Sequence, residues 1–180
     1  YGSVQAGIFI FSINFLEVPL GLITSPIQDI FTQSATSEID NNGNAKLSFK
    51  KTFALLVLIS IIAIIPISLY FSRYIPLIFG NQWEDSVDII KAIFFIVSIR
   101  FISSPLSMIW IIRKKERLNF IWQLILILLI CGTVTLPFYF YGNNSIISTL
   151  SIYSYGVGTW YAVAILISYK LANWKLKNKL

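Results

Sequence analysis

The feature that most constrains this chain is a run of 52 residues, 118–169, without a single Asp, Glu, Lys or Arg. A helix needs roughly 20 apolar residues to cross the hydrocarbon layer, at about 1.5 Å rise each. The run therefore holds two spans, divided by the polar turn Gly142-Asn143-Asn144-Ser145. A second uncharged stretch separates Lys51 from Arg73. Extended along the chain, the same reading predicts five helices at about 3–25, 52–79, 88–112, 118–141 and 146–170. Segments such as Leu124-Ile125-Leu126-Ile127-Leu128-Leu129-Ile130 lack the alternation of a barrel strand. The expected fold is all-α integral membrane, with residues 1–180 forming one transmembrane helical region and no soluble domain. Composition agrees, since only 12% of the residues are charged against about 25% in soluble domains.

Residue usage excludes several chemistries. With no His and a single Cys, Cys131, the chain has no imidazole metal site, no His-based triad and no internal disulfide. The net charge of +6 reads as membrane orientation rather than nucleic-acid binding, because the cations flank apolar spans. Lys46, Lys50 and Lys51 fall between the first two helices. Arg113, Lys114, Lys115 and Arg117 fall between the third and fourth, and Lys170, Lys175, Lys177 and Lys179 follow the fifth. All lie on one side of the membrane, and the positive-inside rule makes that side cytoplasmic, with the C-terminus there. The other side carries Glu84, Asp85 and Asp88. Tyr1 to Ile13 is apolar without a basic leader, so the sequence reads as the C-terminal part of a longer protein rather than as a signal peptide.

The connection from Pro26 to Lys51 is the most polar one. Ile27, Ile30, Phe31 and Ala35 keep helical spacing there and would extend the first helix into the cytoplasm. Asp40 to Asn44 reads as a turn, with Asn44 placed to cap the next helix. Pro66 and Pro105 read as kinks, and Ser154 and Gly158 as a small-xxx-small packing pair. Asp88 and Lys91 read as an exposed ion pair, and most of the five Trp residues as an interfacial belt, with Trp160 open to a deeper place. The sequon at Asn143 falls in a turn too tight to favour glycosylation.

Ionisable groups inside a bilayer cost about 2.5–3.5 kcal/mol even on insertion scales, so each needs an explanation. Arg100 falls near the middle of the third predicted span, with Ser103 and Ser104 on roughly the same face. A guanidinium pairs bidentately with phosphate oxygens. This set therefore reads either as an anion site or as a structural ion pair. Glu17 on the first span is the natural partner, sharing a face with Asn14, and Pro19 just beyond it weakens the helix ladder. Gln5 and Ser12 lie on another face. The candidate substrate-contacting set is Arg100, Ser103, Ser104, Gln5 and Asn14, with Glu17 as the candidate ion-coupling carboxylate. No catalytic or metal-ligating residue is expected, nor any enzymatic activity.

The opening Tyr1-Gly2-Ser3-Val4-Gln5-Ala6-Gly7, then Pro19-Leu20-Gly21-Leu22-Ile23 and Pro26-Ile27, resembles the eighth helix of bacterial polysaccharide flippases of the O-antigen, capsule or teichoic type. Ile78-Phe79-Gly80-Asn81-Gln82-Trp83-Glu84-Asp85-Ser86 is similar to that family's FG-x-x-W-x-x-A turn, with Ser86 in place of Ala. These proteins belong to the multidrug/oligosaccharidyl-lipid/polysaccharide exporter superfamily. The resemblance implies a twelve-helix, two-lobe transporter of which this chain is the C-terminal part, the N-terminal lobe being its partner. It implies the bacterial cytoplasmic (inner) membrane, and as cargo an undecaprenyl-pyrophosphate-linked oligosaccharide flipped by alternating access. Arg100 would attract the pyrophosphate or acidic sugars, and Glu17 would couple a proton or sodium ion; no other cofactor is implied. Two other activities compete. A drug/cation antiporter would need cavity carboxylates, of which this chain offers Glu17 alone, and Arg100 opposes a cationic cargo. A membrane-embedded polymerase or ligase would need a large external loop, and both external connections are short. A structural or assembly subunit is a third reading.

Overall fold

The computed structural model describes residues 2–141 and 146–175. The expected turn at 142–145 with its sequon, and the cations Lys177 and Lys179, lie outside the described residues. Apolar surroundings require each backbone N–H to find a partner within its own helix, and the described residues are helical with short turns and no strand. The helices are α1 (Ser3–Asn42), α2 (Lys46–Ile59), α3 (Ile65–Leu69), α4 (Ile75–Phe79), α5 (Ser86–Leu106), α6 (Met108–Ile112), α7 (Glu116–Tyr141) and α8 (Ile146–Asn173). Five segments are long and apolar enough to cross a membrane: Ser3–Asn42, Lys46–Leu69, Asn81–Ile112, Glu116–Thr135 and Ile146–Asn173.

Three boundaries differ from the expected ones, each for a local reason. Helix α1 continues through Pro19 and Pro26 to Asn42, about twice the length that one crossing requires. Phe31 and Ala35 are fully buried on the extension, so the helical spacing noted there does form a helix. Gly43 ends it in the left-handed region, at φ 73°, with its N–H donating to the Ile39 carbonyl. The second span, expected over 52–79, begins at Lys46 and loses α-helical geometry well before 79. Pro66 has no N–H to give, and the chain loosens into a π turn at Ser60–Ile64 just before it. Past Leu69 a 3-10 turn, Phe71–Tyr74, leads into the short α4, whose first turn holds Pro76. The third span breaks at Ser107, two residues beyond Pro105, and resumes as α6.

Helix α5 is the centre of the bundle. More than half of the most apolar window of its span, 56%, is buried, against 11% for the Glu116–Thr135 span. Its most extensive contact is with α8, followed by α1. Contacts advance together along these three helices: Phe11 with Trp83, Glu17 with Arg100, Ile96 with Ser154 and Trp110 with Ser168. They therefore run in the same direction. Ser154 and Gly158 supply the close approach on α8, as their spacing predicts. The Ser154 hydroxyl accepts from the Ile96 amide at 3.2 Å, and a Cβ on Gly158 would stand 2.7 Å from the Phe95 ring.

The basic segments gather at one end. The Arg113 Nη2 donates to the Gly43 carbonyl at 3.3 Å and the Trp174 carbonyl at 2.7 Å. The Ala45 amide donates to the Ala172 carbonyl at 2.8 Å. The carbonyl ends of α1 and α8 thus meet at one guanidinium, whose pKa burial pushes below its usual range. Lys115 lies over the Trp174 ring at 5.5 Å.

At the same end, Glu38 starts α2 from across the turn. Its Oε1 accepts from the Leu47 amide at 2.9 Å and its Oε2 from the Ser48 amide at 2.7 Å. The Asn44 Oδ1 accepts from the Lys46 amide at 3.3 Å. Burial pushes the Glu38 carboxyl up, but the Ser48 and Leu47 hydrogen bonds and the Lys51 charge outweigh it and hold the pKa below the ordinary value.

Two predictions follow from packing and capping. Gly158→Val destabilises the bundle by about 1–3 kcal/mol, the usual range for overpacking. Gly7→Ala, where nothing stands within 4 Å of the added carbon, does not lower the thermal unfolding temperature in detergent, because alanine is the better helix former. Glu38→Ala costs about 1 kcal/mol at neutral pH. Because the folded pKa is depressed, the cap contributes fully above the ordinary carboxylate range and is lost as pH falls through and below it. Melting curves of wild type and Glu38→Ala should converge under acid conditions.

Candidate functional site

A cleft of about 160 Å³ opens between α1 and α5. Helix α1 contributes Glu17, Gly21 and Thr24, and α5 contributes Arg100 and Ser104, with Leu20, Val97 and Phe101 as apolar walls. These positions recur at three- and four-residue intervals, so one face of each helix lines the space. Because α1 and α5 run the same way and pack side by side, Glu17 and Arg100 can meet between them. Arg100 Nη2 and Glu17 Oε1 form an ion pair.

That pair is not buried dry. The Arg100 side chain keeps 36% of its surface accessible and Glu17 keeps 33%. Both line the cleft, and no other hydrogen-bond or ion-pair partner of Arg100 is present among the described residues. Tyr153 and Tyr161, both partly buried on α8, lie close enough to feel the Arg100 charge.

The other candidates separate. Ser104 lines the cleft with Arg100. Ser103, about 100° further round, points into the packed core and is 1% exposed. Asn14 is exposed and Gln5 half-buried, and neither lines the cleft. The Ser12 hydroxyl is buried and donates back to the Ile8 carbonyl at 2.7 Å. Gly21 and Thr24 escaped the sequence reading although they stand one and two turns beyond Glu17. Tyr153 and Tyr161 had no readable signal, since the register of α8 against α5 sets their positions. Asp88 and Lys91 pair at 3.5 Å on the surface, as expected.

The aromatic side chains depart from a simple belt. Trp110 is 1% exposed and Trp122 6%. They meet edge-on at 5.4 Å, and Trp122 stacks on Trp160 at 4.2 Å, filling the space between α6, α7 and α8. The Trp110 indole N–H escapes desolvation by donating to Ser168 Oγ at 2.6 Å. Trp83 stacks on Phe11 at 4.0 Å, and Phe79 meets Phe11 edge-on at 5.4 Å. Gly80 between them takes φ 101°, a conformation that favours glycine. The Phe79-Gly80-x-x-Trp83 block thus fastens the turn before α5 onto α1, which fixes the relative depth of Glu17 and Arg100.

Residues 1–88 match the model of the family described as polysaccharide biosynthesis protein. No curated protein and no solved structure matches the chain. The matched stretch carries Glu17 and the Phe79–Trp83 turn and ends before Arg100. By that match the first 88 residues of the chain are similar to polysaccharide biosynthesis proteins.

Proposed function

We propose that the chain is part of a transporter that flips lipid-linked oligosaccharide units across the bacterial cytoplasmic membrane by alternating access. The observation that carries this reading is Arg100, a partly accessible cation within the most deeply packed span, lining a cleft. Intramembrane cations mark substrate pathways, and a guanidinium edge suits the two oxygens of a phosphate. The similarity of residues 1–88 to polysaccharide biosynthesis proteins supports a saccharide-bearing cargo. An undecaprenyl-pyrophosphate-linked oligosaccharide offers an anionic group for Arg100 and an apolar tail for the bilayer. A proton or sodium ion would couple through Glu17. The N-terminal lobe would close the opposite wall, and the basic end would face the cytoplasm. A cationic cargo is disfavoured because Arg100 already neutralises the carboxylate in the cleft.

Arg100→Gln in the full-length protein should lower surface polysaccharide at least about tenfold. That is roughly 1.4 kcal/mol, a lower bound for losing a charge-assisted hydrogen bond. Immunoblotting of membranes should show unchanged protein levels. Normal export by this variant would remove Arg100 from the pathway.

A further inference from the structure

We propose that Glu17 is an internal counter-anion, which the anionic group of the cargo must displace from Arg100. The proposal rests on the anion-site reading above and adds to it the role of the carboxylate. Three observations converge. First, Arg100 is already engaged with a carboxylate of this chain, Glu17, through its Nη2, the same guanidinium that would hold a phosphate. Second, about a third of each side chain is accessible. The pair therefore lies on the wall of the cleft, where it can separate without unpacking α1 from α5. Third, the cleft beside it, at about 160 Å³, is roughly ten times the 10–15 Å³ that one water needs. Gly21, one turn beyond Glu17, leaves that side open, with nothing within 4 Å of where a Cβ would stand.

Charge balance supplies the driving logic. Uncoupled, a guanidinium at this depth is costly, and Glu17 brings the empty site to zero net charge. Among the described residues that line the cleft, Glu17 is the sole carboxylate and Arg100 the sole cation. An arriving phosphate finds that cation already engaged. It binds by taking over the guanidinium while Glu17 swings free into the cleft. When the cargo leaves, Glu17 recovers its partner and shortens the residence of the anion. Glu17 thus lowers resting affinity and speeds release.

Inorganic pyrophosphate is the probe, titrated calorimetrically into full-length protein in lipid nanodiscs. If exchange occurs, Glu17→Gln frees the guanidinium and tightens pyrophosphate binding. The gain is about tenfold if the unpaired form makes up about a tenth of the wild-type population. The same variant exports more slowly than wild type, because release is retarded. Unchanged or weaker binding by Glu17→Gln would overturn the proposal and make Glu17 a group that merely positions Arg100. Arg100→Gln separates the two levels. If it binds pyrophosphate as well as wild type, the anion-site reading itself falls. If it loses binding while Glu17→Gln fails to tighten, exchange alone falls. Should Glu17→Gln fold poorly, Glu17→Asp provides the same readout, since its shorter side chain weakens the pair and still tightens binding.

Discussion

A guanidinium and a carboxylate meeting in mid-span, between two helices that run the same way, are the interaction on which the functional account depends. Separately each would be a heavy burden in an apolar medium. Together they are neutral, and because they lie on a cleft wall they stay accessible to a third charged group. A buried pair would be a fixture whose rupture costs several kcal/mol. An exposed surface pair would be worth little. This one stands between, with Arg100 36% and Glu17 33% accessible, which is the range in which an ion pair can form and break in a working cycle.

The rest of the bundle sets the register of that meeting. At one end, Phe11 and Phe15 of α1 receive Phe79 and Trp83 from the turn that leads into α5. At the other, Arg113 binds the Gly43 and Trp174 carbonyls, tying the ends of α1 and α8 to the loop after α6. Two fastenings on either side of the cleft leave α1 and α5 little freedom to slide, so Glu17 and Arg100 stay level. Apolar surfaces do not drive helices together in lipid as they do in water; close packing and hydrogen bonds carry association there. Gly158, Ser154 and the Trp110–Ser168 contact supply both between α5, α6 and α8.

Much of this was legible in the chain itself. Charge spacing gives the five spans, and the 3.6-residue period brings Arg100 and Ser104 to one face. The Glu17–Arg100 partnership follows from the scarcity of intramembrane charge. What the period could not decide was which of two neighbouring serines faces inward. A rotation of about 100° separates Ser103 from Ser104, and the packing of α5 against α8 chooses between them. Nor did apolarity alone reveal where the second span stops being helical, because Pro66 and Pro76 act through missing N–H groups that hydropathy does not register. Trp110 and Trp122 lie near span ends in sequence yet are buried, since the break at Ser107 and the return of α7 bring them between helices. Arg113 read as an orientation charge. Its structural role emerges only when the carboxyl-terminal ends of α1 and α8 meet beside it.

The central claim is that the face of α5 bearing Arg100 borders water while the adjacent face does not. Thiol labelling tests it directly. In full-length protein with Cys131→Ser, single Ser104→Cys and Ser103→Cys variants would be exposed to a charged, membrane-impermeant thiol reagent. The account predicts rapid modification at 104, slowed by pyrophosphate, and protection at 103. Inertness of both positions to the charged reagent, with position 104 still open to a lipid-soluble maleimide, would place the cleft against hydrocarbon and contradict the account.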